Sequence, residues 1–241
     1  MKKVLITGAN KSIGFETARQ LLQKGYFVYL GARDLDKGEE AASKLKAEGF
    51  DNVEAIKIDV ADTASIAAAR KQVDALDVLI NNAGISGGFP QTTDSIDTSV
   101  IREVFDTNFF GPINVTKAFI DLLKKSDEPR IVNVTSGLGS LTMHSDPDSK
   151  FYHIKSAAYG PSKTALNAYT VVLAYELRDT AFKVNVVDPG YTATDFNHHN
   201  GPGSVEDAGK IIVKYATIGP DGPNGKYFSN DADGDTDEMA W

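Results

Sequence analysis

The sequence predicts a doubly wound α/β fold, one parallel sheet of about seven strands with helices on both faces, in a single domain spanning 1–241. Three observations predict it. Short β-branched runs alternate with longer amphipathic stretches, the pattern of a parallel sheet whose crossovers are helices. A glycine-containing turn, Thr7-Gly8-Ala9-Asn10-Lys11-Ser12-Ile13-Gly14, joins the first strand to the first helix. The residues with chemistry to offer fall mostly just after strands, and such sheets bind ligands beyond the carboxyl ends of their strands.

Taken in order, the strand Lys3–Thr7 holds the apolar run Val4-Leu5-Ile6, stops at Gly8 and leads into the helix Ile13–Lys24. Phe27–Leu30 precedes the helix Asp36–Glu48, and Val53–Ile58 precedes Thr63–Ala75. Val78–Asn81 precedes a long helix, Ser99–Lys125. Arg130–Thr135 is followed after a gap by the helix Ala158–Asp179, and Lys183–Val187 by Val205–Tyr215. A short strand near Lys226–Phe228 comes last. In the helix Ala158–Asp179, Pro161 lacks an N–H and is tolerated only near a helix start, so Tyr159 is placed at or just before the N-terminus.

Apolar residues make up 41% of the 241 and charged residues 24%, an ordinary globular composition. The net charge of −8 argues against nucleic acid or an anionic membrane as the main partner. The absence of cysteine removes disulfides, thiolate catalysis and cysteine zinc sites. No apolar run approaches a membrane span, and Val4-Leu5-Ile6 is too short for a signal peptide, so a cytoplasmic protein is expected. The acidic run Asp231-Ala232-Asp233-Gly234-Asp235 looks like part of a calcium loop. Its closing glutamate has no place before Trp241, so a solvated acidic tail over about 230–241 is expected rather than a metal site.

Two features carry the chemistry. In the first turn, glycines let the backbone approach a pyrophosphate whose charge meets the helix N-terminus, a dinucleotide site formed by Gly8, Asn10, Lys11, Ser12, Ile13 and Gly14. No G-x-x-x-x-G-K-[S/T] string is present, which excludes a P-loop. After the second strand, Ala32 stands where an NAD site places a carboxylate, and Arg33 follows, able to clamp a 2′-phosphate. Lys11, Asn10 and Lys37 can add to that pocket. This favours NADP(H) over NAD(H), unless Asp34 takes the ribose and Arg33 is merely solvated. The second feature is Tyr159 and Lys163, one helical turn apart on one face. A free tyrosine has a pKa near 10, and a fixed ammonium nearby favours its phenolate.

Thr7–Gly14, Asn81-Asn82-Ala83-Gly84, Asn108, Ser136, Tyr159 with Lys163, and Pro189-Gly190-Tyr191-Thr192 occur in that order. Together they resemble the short-chain dehydrogenase/reductase family, a Rossmann-type fold, over about Lys2 to Tyr227. One departure is Ser12, where the family has its second glycine. Within the family the chain looks most like the carbonyl reductases, with Gly-Ala-Asn-Lys at its start and Ala-Arg-Asp after the second strand. It shares their extra residues between serine and tyrosine, here an insertion at about 141–156.

The resemblance implies NADPH-dependent reduction of ketones and aldehydes, with Asn108, Ser136, Tyr159 and Lys163 as the catalytic set. Tyr159 would give the proton, Lys163 would also hold the nicotinamide ribose, and Ser136 would bond the carbonyl oxygen. Thr135 is the rival to Ser136; strand alternation points the two neighbours opposite ways, and the resemblance selects Ser136. A kink at Asn108, before Gly111-Pro112, would free its groups to hold a proton-relaying water, unless Asn108 is a buried structural amide. Asp59 and Val60 would clamp the adenine, although Asp59 could equally cap the next helix. Asn81, Ala83 and Gly84 would pass the adenosine ribose, with Asn82 bracing the sheet. Pro189, Gly190 and Thr192 would shape the nicotinamide pocket. Phe89, His144, Phe151, Tyr191 and Phe196, on loops beyond the strand ends, are the candidates for contact with a small-molecule carbonyl or alcohol substrate, a lining suited to a bulky apolar or aryl ketone. His198-His199 has no partner at metal-ligand spacing, and no G-x-S-x-G elbow supports a hydrolase. Two other functions compete: an NAD-dependent alcohol or hydroxysteroid dehydrogenase on the same residues, and a catalytically silent dinucleotide-binding sensor or scaffold. Relatives often pair through their long helices, so a homo-oligomer is a further expectation.

Overall fold

Strand β1 (Lys3–Ile6) turns Val4 and Ile6 to one side and Leu5 to the other, and all three are fully buried. A sheet apolar on both faces needs a helical layer on each. The computed structural model describes residues 1–232 and 236–241 and supplies those layers. The other strands are β2 (Phe27–Ala32), β3 (Val53–Lys57), β4 (Val78–Asn81), β5 (Arg130–Val134), β6 (Lys183–Asp188) and β7 (Tyr227–Ser229). All neighbours run parallel, in the order β3-β2-β1-β4-β5-β6-β7. Helices α1 (Ser12–Gln23), α2 (Leu35–Ala47) and α8 (Val205–Ala216) bury Leu21, Leu45 and Ile212 against the Val4 and Ile6 face. Helices α3 (Thr63–Arg70), α5 (Gly111–Leu123) and α7 (Tyr159–Glu176) bury Ile66, Phe119 and Leu173 on the other. The strand order reverses between β1 and β4, which opens a crevice at their carboxyl ends where ligands of such sheets bind.

The expected helix 99–125 is two helices, α4 (Thr98–Phe105) and α5, joined by a π-helical turn over Asp106–Phe110. Pro112 has no N–H to give the Asn108 carbonyl four residues back, so α-helical pairing fails there. The Gly111 N–H instead reaches the Asp106 carbonyl, five residues back. Helix α3 stops at Arg70, short of Ala75. The Arg70 guanidinium bonds the Val73 carbonyl at 3.1 Å and pairs with Asp121 on α5. Between β5 and α7 the chain forms a 3₁₀ turn (Gly137–Gly139) and one short helix, α6 (Leu141–Ser145).

The expected solvated tail is corrected by packing. Glu238 bridges antiparallel to Phe228, and the Met239 N–H donates to the Tyr227 carbonyl at 2.9 Å. The Met239 side chain is buried with Phe151, Val186 and Tyr227. The Ala240 carbonyl accepts from Ser140 Oγ at 2.7 Å, and the Trp241 carbonyl accepts from the Thr142 N–H at 2.9 Å. Asp237 and Glu238 pair with Lys214 and Lys226. The tail is acidic in composition, but its apolar residues take it back to the sheet edge. Residues 233–235 of the acidic run lie outside the described residues.

Candidate active site

The first turn is built around two places where only glycine fits. Gly8 has φ +65°, and a Cβ on it would stand 2.9 Å from the Ala83 Cα; a Cβ on Gly14 would stand 2.6 Å from the Gly8 carbonyl oxygen. Such contacts leave a bare backbone cradle at the start of α1, over the β1–β4 crevice. Asn82 closes it from just beyond β4, donating Nδ2 to the carbonyls of Thr7 at 2.9 Å and Gly8 at 3.1 Å. Thr7 Oγ1 accepts from the N–H groups of Asn82 and Ala83. Ser12 takes φ +51°, the left-handed conformation a glycine would adopt freely. The departure at Ser12 therefore keeps the glycine geometry and strains the serine. Lys11 pairs with Asp195 at 3.0 Å, bringing the loop after β6 against this turn.

Asn81 is turned away from the crevice. Its Nδ2 donates to Asn133 Oδ1 at 2.8 Å and to Thr116 Oγ1 at 3.3 Å, so its side chain braces β4, β5 and α5 and only its backbone borders the cradle. The Val60 side chain is core, packed on Gly111. Asp59 accepts from the Ala61 N–H at 3.0 Å, and the cap of α3 is Asp62, which accepts from the Ala64 N–H at 2.8 Å. Asp34 is likewise spent as the cap of α2, accepting from the N–H groups of Asp36 and Lys37, and Lys37 pairs with it at 3.7 Å. Arg33 makes no ion pair among the described residues. With Leu35, Lys57, Asp59, Asp62 and Ser65 it lines a cavity of about 640 Å³.

At the carboxyl end of β5, Thr135 Oγ1 is buried against Asn167 Oδ1 at 2.6 Å, so Thr135 faces α7. Ser136 faces Tyr159 and bonds its phenol. Ser136 Oγ also accepts from the Leu138 N–H at 3.3 Å, and its carbonyl accepts from the Tyr227 hydroxyl at 2.7 Å. Lys163 is buried, with its ammonium 5.7 Å from the Tyr159 ring centre and donating to the Val134 carbonyl at 2.9 Å. Burial holds the Tyr159 phenol well above its usual pKa of 10, against the pull of the Ser136 hydrogen bond and with a small push from Asp188. Burial brings Lys163 down to about 8, opposed by Asp188. The ammonium is held on the Val134 carbonyl, and desolvation is the largest influence on the phenol's acidity.

Asn108 is fully buried in the π turn. Its Oδ1 accepts from the Ile85 N–H at 2.9 Å, and its Nδ2 donates to the Ile85 carbonyl at 2.9 Å and to Ser162 Oγ at 3.1 Å. The side chain is a clamp between the segment after β4 and α7, and it is not free to hold a water. What Pro112 deprives of a helical donor is the Asn108 carbonyl.

Residues 2–204 match the sequence model of the short chain dehydrogenase family. The chain belongs to the short-chain dehydrogenase family. Among curated relatives, (−)-isopiperitenone reductase of Mentha piperita is 32% identical over 94% of this chain and 96% of its own. (+)-Neomenthol dehydrogenase of Arabidopsis thaliana is 35% identical over 93% of this chain and 95% of its own. Among solved structures, salutaridine reductase of Papaver somniferum superposes with a TM-score of 0.81 at 30% identity, covering 95% of this chain and all of that one. The NADPH-bound carbonyl reductase from chicken fatty liver gives 0.84 at 26% identity, covering 100% and 99%.

In this short-chain dehydrogenase the five aromatic and histidine candidates for substrate contact divide. Phe89, Tyr191 and Phe196 are 57%, 56% and 41% exposed, and the Phe196 ring lies 5.4 Å from that of Tyr159. Phe151 is buried, its ring filling the space where a Gly137 Cβ would sit, and it supports the turn of Ser136 from below. His144 stacks near Phe151 at 6.5 Å, with Lys155 on its carbonyl at 2.7 Å; burial first and Lys155 second lower its pKa. Thr192 is buried, its Oγ1 turned to the carbonyls of Pro189 and Gly190, the latter at φ +80°. His199 pairs with Asp195 at 3.0 Å. No motif pointed to Gln91. It is buried, its Nε2 donates to the carbonyls of Ser86 at 2.6 Å and Gly88 at 2.7 Å, and its Oε1 accepts the N–H groups of Ala158 and Tyr159, both at 3.1 Å. It thereby caps α7 at the residue carrying the phenol.

Proposed function

We propose that this chain reduces ketones or aldehydes to alcohols with NADPH, on Tyr159, Ser136 and Lys163. The observation that carries the reading is the Ser136–Tyr159–Lys163 cluster at the carboxyl end of β5, with its lysine buried, beside a glycine cradle at the switch point. The cradle suits the pyrophosphate of a dinucleotide: Gly8 and Gly14 leave no room for side chains, and the start of α1 supplies N–H donors. Arg33 is a cation without an ion pair among the described residues, in a cavity on the adenosine side, and it suits a 2′-phosphate. Asp34 is engaged as a helix cap, which speaks against its holding the ribose of NADH.

When bound, the cofactor supplies a hydride to the carbonyl carbon. The carbonyl oxygen then needs a proton, and the Tyr159 hydroxyl gives it. Because burial holds that phenol protonated at neutral pH, the acid is loaded before reaction. Ser136 Oγ donates to the same oxygen and steadies its growing negative charge. The buried Lys163 ammonium offsets the phenolate left on Tyr159. Asn108 fixes the segment after β4 against α7. Phe196, exposed and 5.4 Å from the Tyr159 ring, suits an apolar ketone substrate, and the relatives include reductases by name. The test follows the nicotinamide absorbance with NADPH and then NADH against cyclic, aryl and aliphatic ketones, with Tyr159→Phe in parallel. Oxidation by the wild type with loss of roughly 10²-fold or more in the variant is expected. Equal rates for both proteins would refute the assignment, and cofactor binding without turnover of any carbonyl would leave a silent binding protein.

A further inference from the structure

Four charged side chains are almost fully buried among the described residues: Glu16, Arg130, Lys163 and Asp188. Burying a charge is costly unless it is paired or well bonded. Glu16 meets Arg19 at 2.7 Å and Gln20 at 2.8 Å. Arg130 donates to the carbonyls of Pro129, Ala181 and Ile218. The two that remain lie at the same end of the sheet. Lys163 donates to the carbonyl of Val134, and Val134 pairs in register with Val187, the residue before Asp188.

Asp188 is 3% exposed. Its Oδ1 accepts from the Gly190 N–H at 3.0 Å, its Oδ2 from Ser229 Oγ at 2.6 Å, and the Gly137 N–H also bonds the carboxylate. One carboxylate thereby ties the turn carrying Ser136, the 189–192 loop and the end of β7. We propose that Asp188 is a positioning residue of this active site, the buried counter-charge of Lys163 and the tie that spaces the Ser136 turn from the 189–192 loop. The proposal rests on the reading of Tyr159 and Lys163 as the proton-transfer pair.

Asp188 is faced from α7 by Lys163 and Tyr159, from β7 by Tyr227, and from beyond β7 by Asp231. Asp231 in turn holds the Tyr191 N–H at 3.1 Å and lies 4.0 Å from Lys150. The 3₁₀ turn, Gly-Leu-Gly, brings no charge. Burial raises the Asp188 carboxyl to about 6, opposed by Ser229 and Gly190. The carboxylate is charged above about pH 6, so at neutral pH it supports the Lys163 ammonium, which burial alone pushes lower.

The test uses the cofactor-free protein with lysine carbon-13 labelled at Cε, the Lys163 signal being identified with Lys163→Arg. In the wild type that signal is expected to titrate near pH 8. In Asp188→Asn, which keeps the shape and loses the charge, its midpoint is expected to fall by about one pH unit. The alkaline limb of kcat/KM for carbonyl reduction is expected to move down by the same amount, a shift that a merely structural role would not produce. An unmoved Lys163 midpoint overturns the proposal. Should Asp188→Asn fail to fold, Ser229→Ala decides: it raises the carboxyl titration above about 6, and the Lys163 signal follows that step upward. A Lys163 signal blind to it overturns the proposal. If the wild type reduces no carbonyl, the catalytic reading fails, while the lysine titration still decides the counter-charge.

Discussion

Replacing Gln91 by leucine removes four hydrogen bonds at the start of the helix that carries the phenol. The N–H groups of Ala158 and Tyr159 lose their acceptor, and the carbonyls of Ser86 and Gly88 lose their donor. The Ala158 N–H is buried, and a buried donor left unmade costs about 1–3 kcal/mol. The Tyr159 N–H is half-buried and the two carbonyls lie on a more exposed loop, so water recovers part of their loss. The expected loss of stability is about 2–4 kcal/mol, read from urea unfolding at constant m-value. Because the capped residue is Tyr159 itself, the phenol moves relative to Ser136, and kcat is expected to fall on the order of 10²-fold with little change in KM. Gln91→Leu within about 0.5 kcal/mol of the wild type, with unchanged kcat, would refute the reasoning.

Three further outcomes follow from the same geometry. Ser12→Gly relieves a left-handed serine at φ +51° and is expected to raise stability by up to about 1 kcal/mol, a gain of roughly 2–4 °C in Tm; a lower Tm counts against strain at this turn. Arg33→Asp is expected to weaken NADPH by about tenfold to a hundredfold while sparing or improving NADH; equal loss with both cofactors removes Arg33 from the phosphate site. Lys163→Met removes an ammonium that burial brings from 10.5 to about 8. The folded pKa lies below the unfolded one, so the penalty is full below about pH 8 and gone above the unfolded value. The variant should be inactive, and its stability relative to wild type should fall by up to roughly 3 kcal/mol as pH rises from below 8 to above 10, measured by denaturant unfolding. A pH-independent difference contradicts the burial of a charged lysine.

Much of the site was legible because its signals are local. The turn Thr7–Gly14 and the pair Tyr159 and Lys163 each sit within one stretch of chain, where spacing alone fixes which atoms share a face. Pro112 also signalled the irregularity at Asn108, since a missing N–H is a covalent fact. The direction of side chains was less legible. Asn81 and Asn82 are neighbours of one type, yet Asn82 closes the cradle and Asn81 is spent inside the sheet. Phe151 and Phe196 look alike in a loop, yet one underlies the Ser136 turn and the other faces Tyr159.

The alternation of strand and helix, the glycine cradle and the one-turn spacing of phenol and ammonium were determined by the sequence, because each depends on backbone periodicity or covalent geometry. Tertiary structure alone decided the role of Gln91, which meets Ala158 across the fold, and of Asp188, which meets Ser229 on another strand. It also decided the acidity of Tyr159 and Lys163. Their ionisation depends on how much water the surrounding elements exclude, and on the charge β6 places nearby, neither of which can be read from residues four apart on one helix.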